Sequence, residues 1–451
     1  MKSRKKQKQK QKQKRNNKSK KRNAGSIVIK STTPKRIMDF TNSIPNGRSG
    51  GPPIMSYRPS INKILPRLTS LTPKAVSHHD CFTQLEKKAS ISLTQNESTP
   101  AIDYPTPQIA MPECVKLTSA RAQKILIENA RSTKLIPASK ITAPLQYLSN
   151  CWFNSGFMAM FISDKGRDFN RSFRQSMIEG KIIGKGGKRT DIPPKLRNAL
   201  GYFAIAIDAC LRGDPIMHKL NTNHLLLSIY KAIPKSKLPK DIKETTLDEA
   251  GNPIPYYNGL YTYLYGNKSG SFPVKFVELY GIRKGLPSDK KTFKYLFEKE
   301  VLELYKKESS VQSISEIEPD SLPDLFMVEI YNSEKEERDF EDPSKVITEK
   351  PEILKINGVS YKLDATVCRD TKNTHMCATL TYGGKQYGFD GESLHRMDPF
   401  KWKGYINKNK NWTFKGSIWK GEGLPGKSGS SVYWNYRDGY HALYYYRVTP
   451  K

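Results

Sequence analysis

Cys151 lies in the run Gln146-Tyr147-Leu148-Ser149-Asn150-Cys151-Trp152-Phe153-Asn154-Ser155, where a polar loop gives way to an apolar segment. A thiol becomes a nucleophile when it loses its proton. A helix N-terminus, which carries roughly half a positive charge, favours the thiolate. Far downstream, Thr374-His375-Met376-Cys377-Ala378-Thr379-Leu380 reads as a strand opening on a histidine. After the Gly383-Gly384 turn, Tyr387-Gly388-Phe389-Asp390 reads as its antiparallel neighbour. Imidazole is the side chain best suited to take a thiol proton near neutral pH, and a carboxylate on its second nitrogen fixes the tautomer. The set Cys151, His375 and Asp390 therefore predicts nucleophile, base and orienting acid of an acyl-transfer centre. Such chemistry also needs donors for an oxyanion. The backbone N–H of Cys151 and the side-chain amides of Gln146 and Asn150 are the candidates. Gln146 is favoured because its distance from the cysteine lets the loop fold back over the thiol.

The elements that must position these groups are legible in outline. Thr118 or Ser119 is a candidate cap for a helix running to about Ser132, with Ile125 and Leu126 among its apolar positions. Residues 151–163 form a strongly apolar helix behind the cysteine, and 196–212 and 222–233 are predicted helical. Ser288 is the predicted cap of a helix over 289–308. His218 and His224 are read as structural. Beyond residue 320 the pattern turns to strands: 324–332, 352–356, 359–368, 375–382 and 385–390, then 430–434 and 440–448 joined by Arg437-Asp438-Gly439. Asn357-Gly358 and Gly383-Gly384 supply two-residue hairpin signals. Helices carrying the cysteine followed by an antiparallel sheet carrying histidine and aspartate define an α+β layout.

Composition sets the rest. The chain has 451 residues, 37% hydrophobic, with net charge +33. Residues 1–36 hold 16 Lys or Arg and no acid, which is about half of that charge. The Lys/Gln-rich start cannot bury enough apolar surface to offset its chain entropy. Residues 1–36 are read as a disordered basic tail, either a nuclear address or a contact for nucleic acid or another polyanion. Residues 37–111, rich in Pro, Ser and Thr, are read as a mostly disordered linker, and 112–451 as the catalytic domain. The six cysteines, Cys81, Cys114, Cys151, Cys210, Cys368 and Cys377, show no Cys-x-x-Cys pair and no disulfide framework. A reducing compartment is the expectation, with Cys210, Cys368 and Cys377 as packed thiols. His78-His79-Asp80-Cys81 is a poor metal cluster, since adjacent residues do not converge on one tetrahedral ion. Gly180 to Lys188 fails the phosphate-loop register and is read as a basic surface loop. No membrane segment, secretory signal, cofactor or metal is expected.

These residues resemble a family. Pro144-Leu145-Gln146 to Ser155 is similar to the Cys box of ubiquitin-specific proteases, and Tyr361 to Gly391 to their His box. His441-Ala442-Leu443-Tyr444-Tyr445-Tyr446-Arg447 is similar to their closing strand. The resemblance implies a papain-like cysteine protease fold and hydrolysis after the C-terminal Gly of ubiquitin or a ubiquitin-like protein. By position it implies Cys151 as nucleophile, His375 as base and acid, and Asp390 as orienting carboxylate. The family's oxyanion amide falls on Gln146 in place of Asn. The Gly-Asn-Thr before the family's cysteine is Leu148-Ser149-Asn150 here, and the Gly before its histidine is Thr374. The Cys pairs that hold zinc in the fingers of that fold are absent. Divergent enzymes of this kind occur in large DNA viruses, an origin the Lys/Gln tail would suit. The implied protein is an intracellular monomer, nuclear or cytoplasmic, acting on ubiquitin conjugates. Two other readings stay open: a papain-like endopeptidase that processes precursors, and a nucleic-acid-binding structural protein with an inactive protease-like core.

Overall fold

The computed structural model describes residues 106–448 apart from 111–113, 147–149, 184–188, 219, 221, 235, 237–252, 266–273, 280–281, 332–339, 348, 372–374, 393–395, 415–417 and 420–429. The basic tail, the His78–Cys81 cluster, the linker up to residue 105, and Thr374 lie outside the described residues, as do the end of the chain and 184–188 of the basic loop. Pairing begins inside the last residues of the segment read as linker. Strand β1 (Gln108–Ala110) pairs antiparallel with β2 (Cys114–Lys116). Cys114 is disulfide-bonded, which departs from the expectation of a fully reduced chain; Cys151, Cys210, Cys368 and Cys377 are free.

The first half is helical. Helix α1 (Ala120–Arg131) is capped by Ser119, whose hydroxyl accepts from the Ala122 N–H at 3.2 Å, and it buries Ala122, Leu126 and Ala130. Helix α2 (Cys151–Phe157) continues directly into a π-helical turn over Met158–Ile162, every residue of both being buried. The π turn ends where the Ser163 N–H reaches back five residues to the Met158 carbonyl. Helices α3 (Asp164–Phe169) and α4 (Arg171–Glu179) follow, then a hairpin of β3 (Lys181–Ile183) and β4 (Arg189–Asp191). Gly166 is obligatory in α3: a Cβ there would stand 2.4 Å from the Met160 carbonyl oxygen and 2.8 Å from the Tyr446 hydroxyl. Helix α5 (Pro194–Arg212) places Phe203 against Phe153, Phe157 and Phe161, at centroid distances of 5.9, 5.8 and 5.0 Å. Those three rings recur at i, i+4 and i+8, so one stripe of the cysteine-bearing helix docks on one ring of α5. Helices α6 (Thr222–Ala232) and α7 (Pro253–Tyr265) complete this layer. Helix α7 is not predicted from sequence. Buried on most of its circumference, it has no polar face to give a helical period.

The second half builds an eight-stranded sheet. Strands β5 (Val274–Leu279) and β6 (Ile282–Arg283) precede α8 (Phe293–Glu308). The cap of α8 is Thr292, not Ser288, which opens a separate 3-10 turn (Ser288–Lys291). The Thr292 hydroxyl accepts the Tyr295 N–H at 3.3 Å, so the competing local bond sets the start four residues late. Then come β7 (Leu325–Ile330), β8 (Phe340–Glu341), the single turn α9 (Pro343–Val346), β9 (Ile353–Ile356), β10 (Val359–Arg369), β11 (Met376–Tyr382), β12 (Lys385–Phe389), β13 (Asp398–Pro399), β14 (Ile418–Trp419), β15 (Ser430–Ser431) and β16 (His441–Arg447). The sheet runs β13-β12-β11-β10-β16-β7-β5, with β9 also on β10. All pairs are antiparallel except β5 on β7. Both predicted hairpins form. Asn357 and Gly358 take φ 39° and 78°, and Gly383 and Gly384 take 57° and 72°, all left-handed as a type I′ turn requires. The final pair differs from expectation. Strand β15 pairs with β14, while β16 enters the centre of the sheet between β10 and β7. Its run of buried aromatics finds partners on both edges there.

Period-two alternation divides the sheet residues between two cores. Ala365, Val367, Ala378, Leu380, Ala442 and Tyr444 face the layer of α2 and α5, whereas Leu363, Cys368, Cys377, Leu443 and Tyr445 face α8 and a tryptophan-rich layer. Cys210, Cys368 and Cys377 are buried free thiols, each pushed up in pKa by burial. The second core also holds Lys350, whose ammonium donates to the carbonyls of Ile406 (3.3 Å) and Tyr436 (3.2 Å). Burial, then repulsion from Arg437, brings its pKa down to about 7. The unfolded value is roughly 10.4, so between pH 7 and 10 the unfolded chain binds more protons and stability rises with pH. Lys350→Met removes this term. Its stability relative to wild type should be most favourable at pH 6 and fall by a few kcal/mol, on the order of the shift, by pH 10. Denaturant melts across that range check it, and a pH-independent difference would contradict it.

Candidate active site

Cys151 is the first residue of α2, 5% exposed, with its helix fixed from behind by Phe203. His375 stands immediately before β11 and Asp390 immediately after β12, at the end of the hairpin opposite the Gly383-Gly384 turn. Both are buried. The hairpin register pairs Ala378 with Phe389, and its continuation puts these two flanking residues diagonally across from each other. The His375 Nε2 lies 2.6 Å from the Asp390 Oδ1. The Cys151 thiol interacts with the same imidazole, whose Nδ1 makes no hydrogen bond of standard geometry. Among the contacts that align the two layers, the Ser155 hydroxyl donates to the Met376 carbonyl at 3.2 Å.

Electrostatics follow from this packing. Burial favours the neutral imidazole, but the Asp390 charge and hydrogen bond, with the Cys151 thiol, outweigh it and hold His375 well above its ordinary range. With the folded value raised, the ion pair's contribution to stability is complete below about pH 6.5, the unfolded value, and is lost as pH rises through the folded one.

Several groups that sequence reasoning missed hold this arrangement. Asp370 clasps His375: its carboxylate accepts the His375 N–H and its own N–H donates to the His375 carbonyl, each at 2.8 Å. Asp370 also bridges to Trp434, whose ring lies 5.9 Å from the imidazole. Asn154, one turn along α2 from Asn150, ties the loop before the cysteine to α6 within the helical half. It donates to the Leu145 carbonyl (3.0 Å) and to the Asn150 Oδ1 (3.4 Å), and accepts from the Thr222 hydroxyl (2.8 Å). An Asp five residues before the His, and an Asn three after the Cys, were visible in the sequence. Their roles depend on contacts with distant segments.

The two amides predicted for the oxyanion differ. Asn150 occupies the N-cap position without a side-chain cap bond. Its Nδ2 donates to the Thr222 hydroxyl at 2.6 Å, so its amide braces the loop from inside. That bond uses one of the two N–H donors of its Nδ2. Gln146 is half-buried, and its N–H donates to the Gly391 carbonyl at 3.0 Å, which ties the loop before the cysteine to the residue after Asp390. Tyr147, Leu148 and Ser149 lie outside the described residues. Asn154→Leu should cost about 1–3 kcal/mol by leaving buried partners unsatisfied and should loosen the Leu145–Gln146 loop. A thermal melt together with turnover measures both; an unchanged melting point would contradict this reading of the network.

His218 and His224 lie in the helical half, His218 on the 3-10 turn Pro215–His218 and His224 buried in α6. Among the described residues no group of three His, Cys, Asp or Glu side chains is gathered as a metal would require, and no helix is long and apolar enough to cross a membrane.

No family model matches the sequence, and no curated protein matches it. Among solved structures, a chain of the SAGA DUB module of Ubp8, Sgf11, Sus1 and Sgf73 bound to monoubiquitin aligns over 71% of this chain and 72% of its own, at 8% identity and TM-score 0.38. A chain of the Ubp8-Sgf11-Sgf73-Sus1 SAGA DUB module aligns over 70% of this chain and 71% of its own, at 9% identity and TM-score 0.35. Likeness at this level carries no residue roles across.

Proposed function

We propose that the protein is a thiol hydrolase of the ubiquitin-specific protease type, cleaving after the C-terminal glycine of ubiquitin or a ubiquitin-like protein. The observation that carries the reading is the His375 imidazole, held by Asp390 through Nε2 at 2.6 Å and interacting also with the Cys151 thiol. In the proposed cycle His375 takes the thiol proton and Cys151 Sγ attacks the carbonyl carbon of the terminal glycine. His375 then gives the proton to the leaving lysine amine. Water, activated by the same imidazole, hydrolyses the thioester. Asp390 keeps the ring in the tautomer that leaves Nδ1 unprotonated and able to take the thiol proton. The Cys151 N–H, one of the N-terminal amides a helix leaves without an intrahelical partner, and the Gln146 side chain would receive the oxyanion. The choice of ubiquitin over an ordinary peptide rests on the resemblance of the Cys and His boxes.

The test is a ubiquitin carrying a C-terminal electrophile. The expected result is a single adduct whose tryptic map places it on Cys151, absent from Cys151→Ala. An unmodified protein that still cleaves unstructured peptides would transfer the assignment to the endopeptidase reading. Inertness toward both would reject a hydrolase.

A further inference from the structure

We infer that Glu392 is a second orienting carboxylate for His375, able to take over from Asp390. The inference rests on the thiol-hydrolase reading for its consequence in turnover, but not for its effect on the imidazole. The Glu392 Oε2 lies 4.0 Å from the same Nε2 that Asp390 holds at 2.6 Å. The two acids differ in setting: the Asp390 side chain is 1% exposed and that of Glu392 16%.

Local structure explains why a residue two positions on returns to the same nitrogen. The Asp390 Oδ1 accepts the Glu392 N–H at 3.0 Å, an Asx-type turn that folds the chain back over the carboxylate. The Gly391 carbonyl between them accepts the Gln146 N–H. The backbone of Glu392 is therefore pinned from both sides. Among the described residues, the groups shown against the imidazole are Asp390 and Glu392 beyond β12, Cys151 from α2, and the uncharged Trp434 ring. Asp370 is engaged with the histidine's backbone N–H. An imidazolium with one carboxylate bonded to Nε2 and a second 4.0 Å from it holds its proton more tightly than with the first alone. When the inner acid is neutralised, a rotation of the Glu392 side chain closes the remaining distance. Glu392 is thus a positioning residue, acting through His375.

Asp390→Asn, Glu392→Gln and the double variant test this by two readouts. The first is the pH dependence of Cys151 alkylation by iodoacetamide, which needs no substrate. Its alkaline limb, set by loss of the imidazolium proton, should move down by about half a unit in Glu392→Gln, allowing for partial exposure. It should move much further in the double variant than in Asp390→Asn. The second is kcat on a ubiquitin C-terminal reporter. Glu392→Gln should cost no more than about threefold in wild type but at least about tenfold in the Asp390→Asn background, the non-additivity of groups acting on one site. Glu392→Asp, too short to reach, should behave as Glu392→Gln. Unmoved alkaline limbs, with equal effects in both backgrounds, would overturn the inference whatever the substrate. Shifted limbs without turnover of the reporter would uphold it and count against the ubiquitin reading alone.

Discussion

His375→Ala should lower kcat on a ubiquitin C-terminal reporter by roughly 10⁴–10⁶-fold, with KM changed little. The expectation follows from what the ring does in this structure. It interacts with both Asp390 and the Cys151 thiol, so its removal leaves the sulfur without a base and the leaving amine without an acid. Asp390 is then a buried carboxylate that has lost its cation, which adds a folding penalty. Cys151→Ala should fall as far, and the two together no further, because the residues act as a unit. Stopped-time hydrolysis assays at saturating reporter check both, with thermal melts to separate loss of chemistry from loss of fold. If His375→Ala retained more than about a hundredth of wild-type kcat, the imidazole would not be the base. The same ring sets the pH profile. Because His375 titrates well above its ordinary range, activity that depends on the imidazolium should persist past neutrality and fall on the alkaline side.

Phe203→Ala should destabilise the protein by about 3–5 kcal/mol, the cost of a large cavity in a core that cannot collapse. Phe203 is fully buried and touches Phe153, Phe157 and Phe161, whose centroids lie 5.0–5.9 Å away. Those three rings are the rear face of the helix and π turn that begin at Cys151. The cavity therefore opens directly behind the nucleophile. Denaturant unfolding measures the energy. Turnover in the residual folded population should also fall, since a displacement of about 1 Å at a reacting atom is worth up to a hundredfold. Phe203→Leu, which keeps most of the volume, should recover the larger part of both. A loss below about 1 kcal/mol would mean that neighbouring aromatics refill the space.

What the sequence made legible follows a physical line. The two type I′ hairpins were readable because Asn357-Gly358 and Gly383-Gly384 carry their conformation in their own φ preferences. The start of the cysteine helix, the α1 cap at Ser119 and the order of cysteine, histidine and aspartate were readable for the same reason: each is local. The β5–β7 parallel pair was not, since nothing in either strand specifies a partner some fifty residues away. Nor was the insertion of β16 into the centre of the sheet, where its aromatics serve two cores at once. At the candidate site the three principal residues were named from sequence, whereas Asp370, Asn154, Thr222 and Glu392 emerge only from contacts between segments. Asn150 likewise gains a structural tie that the sequence did not show, its amide donating to Thr222 in a helix some seventy residues away.

The central claim is that Cys151 forms a thioester with the C-terminus of ubiquitin. Acid quenching of the protein during turnover of a ubiquitin C-terminal ester, followed by intact mass measurement, tests it most directly. The account predicts a hydroxylamine-labile adduct of ubiquitin's acyl mass, one per chain and located on Cys151, that accumulates in Asp390→Asn and is absent from Cys151→Ala. An adduct on Cys210, Cys368 or Cys377, or hydrolysis that proceeds undiminished in Cys151→Ala, would contradict it.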